Sequence, residues 1–183
     1  MISGPEFDAY LAKLDEFEGR CHWMYLDGPG NVTVGCGHLI PNADAATLLG
    51  LSAAEYDQVK TMPAGQLAAY YEDFTHGRVT DAEIDAIKQR DVSAAWTQLA
   101  ARWPACEGFP IGAQVVVLDM SYNMGVGKFY SEFLLPTCRF GPACERGAWA
   151  TASAECERKG IQASRNDWAA ETLKACAAPA AAT

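Results

Sequence analysis

Apolar residues at helical spacing open the chain. Phe7, Tyr10, Leu11, Leu14 and Phe17 recur at intervals of one, three and four residues, which places them on one helix face. The pattern predicts an amphipathic helix that ends at about residues 18 and 19. Gly19 is the expected C-cap, because glycine readily adopts the left-handed backbone conformation that closes many helices.

The pattern then changes to short β-prone segments. Tyr25–Leu26 and Val32–Val34 are rich in strand-forming residues, and the turn cluster Asp27–Asn31 separates them. Gly35 and Gly37 interrupt the second segment, which is typical of a backbone that approaches another group closely. This stretch predicts a small hairpin or a three-stranded sheet.

The rest of the chain is predicted to be mainly helical. Capping boxes at Ser52–Glu55 and Thr80–Glu83 predict two helix starts, and the second helix continues to about Arg102. Further helices are predicted at residues 65–74, 111–122, about 129–135, about 144–158 and about 164–176. The sequence therefore predicts an α+β fold with one domain over residues 1–178. It has a small β-containing lobe (about 18–79), a helical lobe (1–17 and 80–178) and a flexible tail at 179–183.

Charge and composition narrow the range of partners. The 183 residues carry a formal net charge of -9, and no cluster of lysine or arginine occurs. Nucleic acid and anionic membrane surfaces are therefore poor partners. No apolar run reaches the roughly 20 residues of a membrane helix, so we expect no membrane span. The N-terminus lacks a basic and apolar leader, so we expect synthesis in the cytoplasm without a signal peptide.

Seven cysteines leave two interpretations open. An odd number leaves at least one thiol unpaired if all pairing is internal. Cys138 with Cys144, and Cys156 with Cys176, are candidate disulfide pairs. The alternative is buried free thiols, because cysteine is among the most frequently buried residue types.

Two carboxylates and a hydroxyl lie close together around the predicted hairpin. Glu18 ends the first helix, where the negative end of the helix dipole and the neighbouring aromatic side chains disfavour its charged form. Asp27 lies in a polar turn, where a charged carboxylate is favoured. An acid and a carboxylate in contrasting environments are what glycosidic bond cleavage requires. Thr33 can hold a water by hydrogen bonding, although each residue alone is more often an ordinary surface or turn residue.

The order of these residues resembles the signature of phage-type lysozymes, glycoside hydrolase family 24. The pattern is Glu-x8-Asp-x5-Thr-Val-Gly-x-Gly-His, from Glu18 through Asp27 and Thr33 to His38, and Tyr25 also fits it. Residues 80–95 look like the long helix that joins the family's two lobes. Residues 121–125 (SYNMG) resemble a family segment around Asn123, and Arg165 stands where the family carries an arginine. Residues 41–79 match poorly and are expected to hold an insertion.

The resemblance implies a lysozyme-like fold and an N-acetylmuramidase. Such an enzyme cleaves the β-1,4 bond between N-acetylmuramic acid and N-acetylglucosamine in peptidoglycan glycan strands. Glu18 would be the general acid, and Asp27 and Thr33 would activate or orient water. Tyr25, Asn123 and Arg165 would bind substrate. The resemblance also favours inversion at the anomeric carbon, which requires the two carboxyls to be more than about 6 Å apart.

His38 is predicted to be structural, paired with Asp91 on the long helix so that it holds the two lobes together. No metal and no cofactor are expected, because Cys21-His22 and Cys36-Gly37-His38 fit no usual zinc spacing. Trp149 and Trp168 are expected to be core residues, with sugar stacking as the alternative.

The acidic charge bears on how the protein would reach its substrate. A protein with a net charge of -9 is not attracted electrostatically to an anionic cell wall, as a basic enzyme would be. An endolysin released from the cytoplasm, or an antibacterial toxin domain delivered into the periplasm, would not need that attraction. We expect a monomer, with an immunity protein or a secretion-system component as the partner of a delivered toxin. Two alternatives stay open: an inactive peptidoglycan-binding module and a lytic transglycosylase.

Overall fold

The computed structural model describes residues 3–177 and is a mixed α+β fold. The sheet consists of β1 (Cys21–Leu26), β2 (Val32–Gly35) and β3 (His38–Leu39). The α-helices are α1 (Pro5–Glu18), α2 (Ala43–Leu48), α3 (Ala53–Lys60), α4 (Asp81–Arg102), α5 (Ile111–Met124), α6 (Val126–Phe129), α7 (Phe140–Glu145), α8 (Trp149–Ala154) and α9 (Ala163–Ala175). Ala68–Phe74 and Pro104–Gly108 are 3-10 helices, and Tyr130–Leu134 is a π-helix.

The described part of the chain divides into two compact units. Among residues 3–177, the continuous unit is Leu11–Asp91, and the discontinuous unit combines residues 3–10 with residues 92–177. The boundaries fall inside α1 and α4, whereas the sequence places the lobe boundaries near residues 17 and 79. The predicted tail at 179–183 lies outside the described residues.

The end of α1 confirms the prediction at Gly19. Its φ is 72°, and its backbone N–H donates to the Asp15 carbonyl at 3.0 Å. Glycine adopts this left-handed conformation without the steric cost that a Cβ would add. The helix therefore ends at Glu18, and the chain turns directly into β1.

The sheet is antiparallel in the order β1-β2-β3, which confirms the predicted short sheet. Tyr25 lies opposite Thr33 across the first pair of strands, and Thr33 lies opposite Leu39 across the second. Residues directly opposite in a sheet project their side chains to the same face. An irregularity in β1 between Cys21 and Tyr25 shifts the register there.

Residues 41–79 pack as part of the continuous unit. Ser52 caps α3 by accepting the Glu55 N–H, as its capping box predicts. The predicted helix at 65–74 is wrong in extent, because only the 3-10 helix Ala68–Phe74 forms. Tyr71 from that helix is fully buried in a core built from the sheet, α3 and α4.

The Thr80–Glu83 capping box is confirmed at the start of α4. The Glu83 carboxylate accepts the Thr80 N–H at 2.7 Å, and the Thr80 hydroxyl accepts the Glu83 N–H at 3.3 Å. The helix then runs to Arg102, as the sequence predicts.

One predicted helix of the discontinuous unit is wrong. The continuous helix expected at about 144–158 is instead α7 and α8, which are separated by a turn at Gly147 with a φ of 67°. A left-handed residue cannot continue a right-handed helix, so the chain changes direction there. The segment expected to be helical at 129–135 is helical, but much of it has π geometry.

A buried carboxylate organises the core of the discontinuous unit. Asp119 on α5 is fully buried and lies between two buried guanidinium groups. Arg158 Nη1 donates to Asp119 Oδ2 at 2.8 Å, and Arg165 Nη2 donates to Oδ1 at 2.7 Å. Tyr10 on α1 stacks on Trp168 of α9 with ring centroids 6.0 Å apart. Trp149 is buried, as expected of a core residue.

All seven cysteines are free thiols, so neither candidate disulfide pair is bonded. Five of the thiols are buried, and those of Cys138 and Cys176 are partly exposed. Across residues 3–177, we find no helix with the length and hydrophobicity to traverse a lipid bilayer.

Candidate active site

Glu18 lies where α1 meets the turn between β2 and β3. It is half-buried, and Phe17 before it is buried. Gly37 in that turn has a φ of 81°, and a Cβ added there would lie 3.7 Å from Glu18 Oε2. The Glu18 carboxylate therefore lies against a backbone position that carries no side chain.

The turn between β1 and β2 fixes Asp27. Its Oδ1 accepts the Asn31 backbone N–H at 2.7 Å, and its Oδ2 accepts from the Asn31 side-chain amide at 3.0 Å. The Asp27 N–H donates to the Asn31 carbonyl, and the Gly30 N–H donates to the Asp27 carbonyl, both at 3.0 Å. Four hydrogen bonds within five residues therefore hold the carboxylate in one orientation.

Thr33 joins this turn through Asn31. Its side chain is buried, and its hydroxyl donates to the Asn31 carbonyl at 3.1 Å. Asn31 thus contacts both Asp27 and Thr33. The sequence predicts Asn31 only as a turn former. The available signal was its place at the end of the turn cluster Asp27–Asn31, because Asp side chains in turns commonly accept hydrogen bonds from nearby backbone N–H groups.

Tyr25 lies on β1, which connects Glu18 to Asp27 in the sequence. Burial raises the pKa of its phenol, and the negative charges of Cys21, Glu18, Asp27 and Cys36 raise it further. Because Tyr25 and Thr33 are cross-strand partners, Tyr25 lies on the same sheet face as the buried Thr33 hydroxyl. The continuous unit thus brings Glu18, Tyr25, Asp27 and Thr33 to one region.

A charged network that sequence reasoning missed lies on the other side of Glu18. Asp15, one helical turn before Glu18, accepts from the buried ammonium of Lys88 at 2.8 Å and from the Cys36 thiol at 3.1 Å. Arg20 donates to both oxygens of Asp15, at 3.1 and 3.0 Å. The network connects α1, α4 and the turn that contacts Glu18. No spacing pattern links these positions, so only the fold reveals it.

His38 and Asp91 form the predicted pair. His38 Nδ1 lies 2.6 Å from Asp91 Oδ2, and both side chains are about four-fifths buried. Arg90 Nε also lies 3.3 Å from Asp91 Oδ1. The pair links β3 to α4 within the continuous unit. Its role in holding the two predicted lobes together stays a prediction.

Asn123 and Arg165 belong to the discontinuous unit. Arg165 on α9 is buried, and its guanidinium bonds the Asp119 carboxylate. Asn123 is near the end of α5, and its Oδ1 is buried without a hydrogen-bond partner among residues 3–177. A buried acceptor without a partner is costly, so a donor from a ligand or water would be favoured there. The substrate-binding role that the resemblance implies for both residues stays a prediction.

A cavity of about 390 Å³ lies elsewhere in the continuous unit. Leu48, Val79, Ile87 and Arg90 are among the residues that line it, and Glu18, Asp27 and Thr33 are not. The Glu83 carboxylate also lines it, and that carboxylate accepts the Thr80 N–H and hydroxyl in the cap of α4. The chemistry of the candidate site therefore does not depend on this cavity.

The Cys-His pairs make other contacts. The Cys21 thiol donates to the Trp23 carbonyl at 3.2 Å, and His22 Nδ1 lies 2.7 Å from the Val79 carbonyl oxygen. Within residues 3–177, no three His, Cys, Asp or Glu side chains are grouped as metal ligands would be.

The arrangement contains the kinds of groups that acid-base chemistry on a polar substrate uses. One carboxyl group lies half-buried at a helix end, and a second is oriented by an asparagine in a rigid turn. A partly buried phenol and a buried threonine lie on the strands that the turn connects. Two such carboxyls can serve as proton donor and as base or nucleophile in glycosidic bond hydrolysis. No protein-family model and no curated protein sequence matches this chain.

Proposed function

We propose that this protein is a peptidoglycan hydrolase of lysozyme-like fold, an N-acetylmuramidase. The observation that carries the proposal is the placement of the Glu18 carboxylate against Gly37, in the same unit as the hydrogen-bonded carboxylate of Asp27. The motif that runs from Glu18 to His38 gives these positions the residue types that glycosidic bond cleavage needs.

Glu18 acts as the general acid in this proposal. It donates its proton to the glycosidic oxygen as the bond to the anomeric carbon breaks, so the leaving sugar departs as a neutral alcohol. The absence of a side chain at Gly37 leaves space beside the carboxyl for the sugar oxygen. Phe17 limits water on the helix side, because it is buried next to the acid.

Asp27 acts as the base or as the stabiliser of positive charge on the sugar ring. As a base it accepts a proton from water, and the resulting hydroxide equivalent bonds the anomeric carbon. Asn31 donates to both carboxylate oxygens and so fixes their direction. Thr33 supports the turn through its hydrogen bond to the Asn31 carbonyl. The hydroxyl oxygen can still accept a hydrogen bond from water while its proton is donated to Asn31, which is what its predicted role in orienting water requires.

The proposed setting is the bacterial cell wall. The net charge of -9 gives no electrostatic attraction to an anionic polymer. Release of an endolysin at the end of phage infection, or delivery of a toxin domain into the periplasm, would bring such a protein to its substrate without that attraction.

Mass spectrometry of digested peptidoglycan tests the proposal. We expect muropeptides that end in reducing N-acetylmuramic acid. Glu18→Gln should lower product formation by at least a factor of about 100, because loss of a general acid typically costs that much. Glu16→Gln is the matched control, since Glu16 is an exposed glutamate on the same helix. It should keep wild-type activity.

Other outcomes of this digestion would replace the proposal. Anhydro ends would identify a lytic transglycosylase. Retention of the protein on insoluble peptidoglycan without any released product would identify a binding module. Unchanged activity in a folded Glu18→Gln protein would remove Glu18 from the reaction.

A further inference from the structure

Two partly exposed aromatic rings lie on the 3-10 helix of residues 68–74, and the proposed reaction does not use them. Tyr70 is 41% exposed and Phe74 is 39% exposed. Their ring centroids are 5.6 Å apart, and the ring planes are inclined by 45°. We call these two residues the aromatic platform. Exposed apolar groups mark binding sites when they are contiguous, as these two rings are, whereas singly scattered ones need no explanation.

The platform is held rigidly from below. Tyr71, between the two rings in sequence, is fully buried and packs edge-on against Tyr70 at 5.2 Å. Its hydroxyl donates to the Pro63 carbonyl at 2.7 Å. Trp23 Nε1 donates to the Ala68 carbonyl at 2.9 Å, which fixes the start of the 3-10 helix to β1. The rings therefore stay exposed because their backbone is anchored.

The segment after the platform is anchored as well. The carboxylate of Glu55 on α3 accepts the backbone N–H groups of His76 at 2.9 Å and Gly77 at 3.2 Å. A surface whose shape is set before binding loses little conformational entropy when it binds a ligand.

The loop that precedes the platform lies beside the turn that holds Asp27. A Cβ on Gly30, in the turn that holds Asp27, would lie 3.6 Å from the Ala64 Cβ. Pro63, next to Ala64, accepts the hydrogen bond from Tyr71. The loop before the 3-10 helix therefore packs against the turn of Asp27, and the platform extends from that loop. A linear polymer bound at Asp27 could continue onto these rings.

The aromatic rings and the charged residues beside them indicate which kind of ligand the platform would bind. Aromatic faces attract the weakly positive C–H groups of a sugar ring, because the ring face carries negative charge density. Glu72 and Asp73, which lie between the two rings in sequence, are exposed and acidic. Arg78 pairs with Glu72 at 3.7 Å, and Asp73 leaves this patch acidic. The patch therefore disfavours the lactyl carboxylate of N-acetylmuramic acid and is compatible with the uncharged ring of N-acetylglucosamine.

We propose that the aromatic platform is an additional glycan subsite that stacks an N-acetylhexosamine ring of the strand bound at Glu18 and Asp27. This inference rests on the proposed function and gives the segment 41–79 a role in binding the substrate. The subsite would raise affinity for long strands without taking part in bond cleavage.

Binding to peptide-free peptidoglycan glycan strands tests the inference. The Glu18→Gln protein, the same protein with Tyr70→Leu and Phe74→Leu, and one with Tyr70→Phe are compared by sedimentation with the strands. Leucine keeps the apolar contacts that fold the segment but removes the flat rings. We expect about tenfold weaker binding for the double leucine variant and wild-type binding for Tyr70→Phe. Leu48→Ala is the control, because Leu48 is 88% exposed on α2 of the same unit.

The failures of the two proposals are distinguishable. With Glu18 intact, the double leucine variant should raise KM for peptidoglycan about tenfold and leave kcat unchanged. If the wild-type protein cleaves peptidoglycan and the leucine variant binds and cleaves equally well, the platform inference is overturned and the muramidase proposal stands. If the wild-type protein shows no cleavage, and glycan binding still depends on the rings, the muramidase proposal is overturned and the platform inference stands. Weaker binding to intact peptidoglycan alone, with unchanged binding to peptide-free strands, would assign the rings to the peptide and overturn the inference.

Discussion

The Lys88 ammonium donates a hydrogen bond to Asp15 Oδ1 at 2.8 Å, and the Cys36 thiol donates to the same oxygen at 3.1 Å. One carboxylate oxygen therefore joins α1, α4 and the turn whose glycine contacts Glu18. Lys88 is buried, and its ammonium also lies 3.3 Å from Asp85 Oδ1. The position of the proposed acid is thus coupled to a charge pair outside the site.

We expect Lys88→Met to lower the free energy of unfolding by about 2 kcal/mol, because it leaves a partly buried carboxylate with fewer partners. Urea unfolding measures the change. Lys174→Met, at an exposed lysine of α9, should change stability by less than about 0.5 kcal/mol. Equal stability of both variants would mean that the ion pair of Lys88 and Asp15 makes no net contribution to the free energy of unfolding.

Acid should weaken the same network. Burial alone would raise the Asp15 pKa, but the hydrogen bonds from Lys88 and Cys36 and the charges of Lys88 and Arg20 lower it below its usual 3.8. A folded-state pKa below the unfolded value gives stability that is present above the unfolded pKa. That stability is lost as pH falls through the folded pKa. Asp15→Asn should therefore flatten the stability profile below about pH 4, which unfolding at a series of acidic pH values measures.

Gly37→Ala should disrupt the proposed site, although the substitution adds only one methyl group. Gly37 has a φ of 81°, and the added Cβ would lie 3.7 Å from Glu18 Oε2. The left-handed backbone costs about 1 kcal/mol or more for alanine, and the new methyl occupies space beside the acid. We expect lower stability together with a loss of peptidoglycan hydrolysis. Gly28→Ala is the control, because Gly28 has no neighbour within 4 Å of its added Cβ. If both alanine variants behave alike, the space beside Glu18 is not required.

Thr33 variants separate a structural role from a catalytic one. The buried hydroxyl donates to Asn31, so Thr33→Val should destabilise the protein by about 1 kcal/mol, and Thr33→Ser should restore most of that. If the hydroxyl also orients water, the valine variant should lose kcat at temperatures where it is fully folded. Thermal unfolding and hydrolysis rates measured on the same samples distinguish the two. A stable valine variant would contradict the structural role.

A double-mutant cycle tests the contact between His38 and Asp91. Their 2.6 Å contact predicts a coupling energy of about 1 kcal/mol or more between His38→Ala and Asp91→Ala. Each single variant should lose stability but retain activity when folded, since the pair is predicted to be structural. Strictly additive effects would show that the contact is not energetically significant. A folded His38→Ala protein without activity would favour a catalytic role for the histidine.

The thiols should differ sharply in reactivity. Burial raises the pKa of Cys21 to about 11 and that of Cys144 to about 12. Because the thiolate is the reactive form, these residues should resist alkylation at pH 8 in the folded protein. Cys138 is partly exposed and should react first. Peptide mapping after brief iodoacetamide treatment measures the order, and denatured protein serves as the control. Labelling of Cys144 as fast as Cys138 would contradict the packing.

The sequence predicts the local elements well where a physical signal is strong. Gly19 ends α1, the Asp27 turn joins two strands, and Thr80 caps α4, because each depends on residues within a few positions of one another. The α+β class follows from these elements. The contact between His38 and Asp91 was also anticipated, although it joins residues 53 positions apart.

Other features depend on packing that no local pattern encodes. Cys36 and Lys88 meet at Asp15 only because α4 packs beside α1. Gly147 breaks a helix whose flanking residues are all compatible with helix formation. Tyr70 and Phe74 could be placed in a helical segment, but their exposure and anchoring depend on Trp23 and Glu55. For the same reason the sequence alone left residues 41–79 without a role.

The stacked pair of Tyr10 and Trp168 has a consequence for synthesis on the ribosome. The first of these rings is translated near the start of the chain and the second near the end, yet both belong to the discontinuous unit. The continuous unit is fully translated at residue 91, so it can leave the ribosome and fold while the rest is still being translated. The N-terminal segment must meanwhile remain without its aromatic partner, and a ribosome stalled before residue 168 would expose it to proteases.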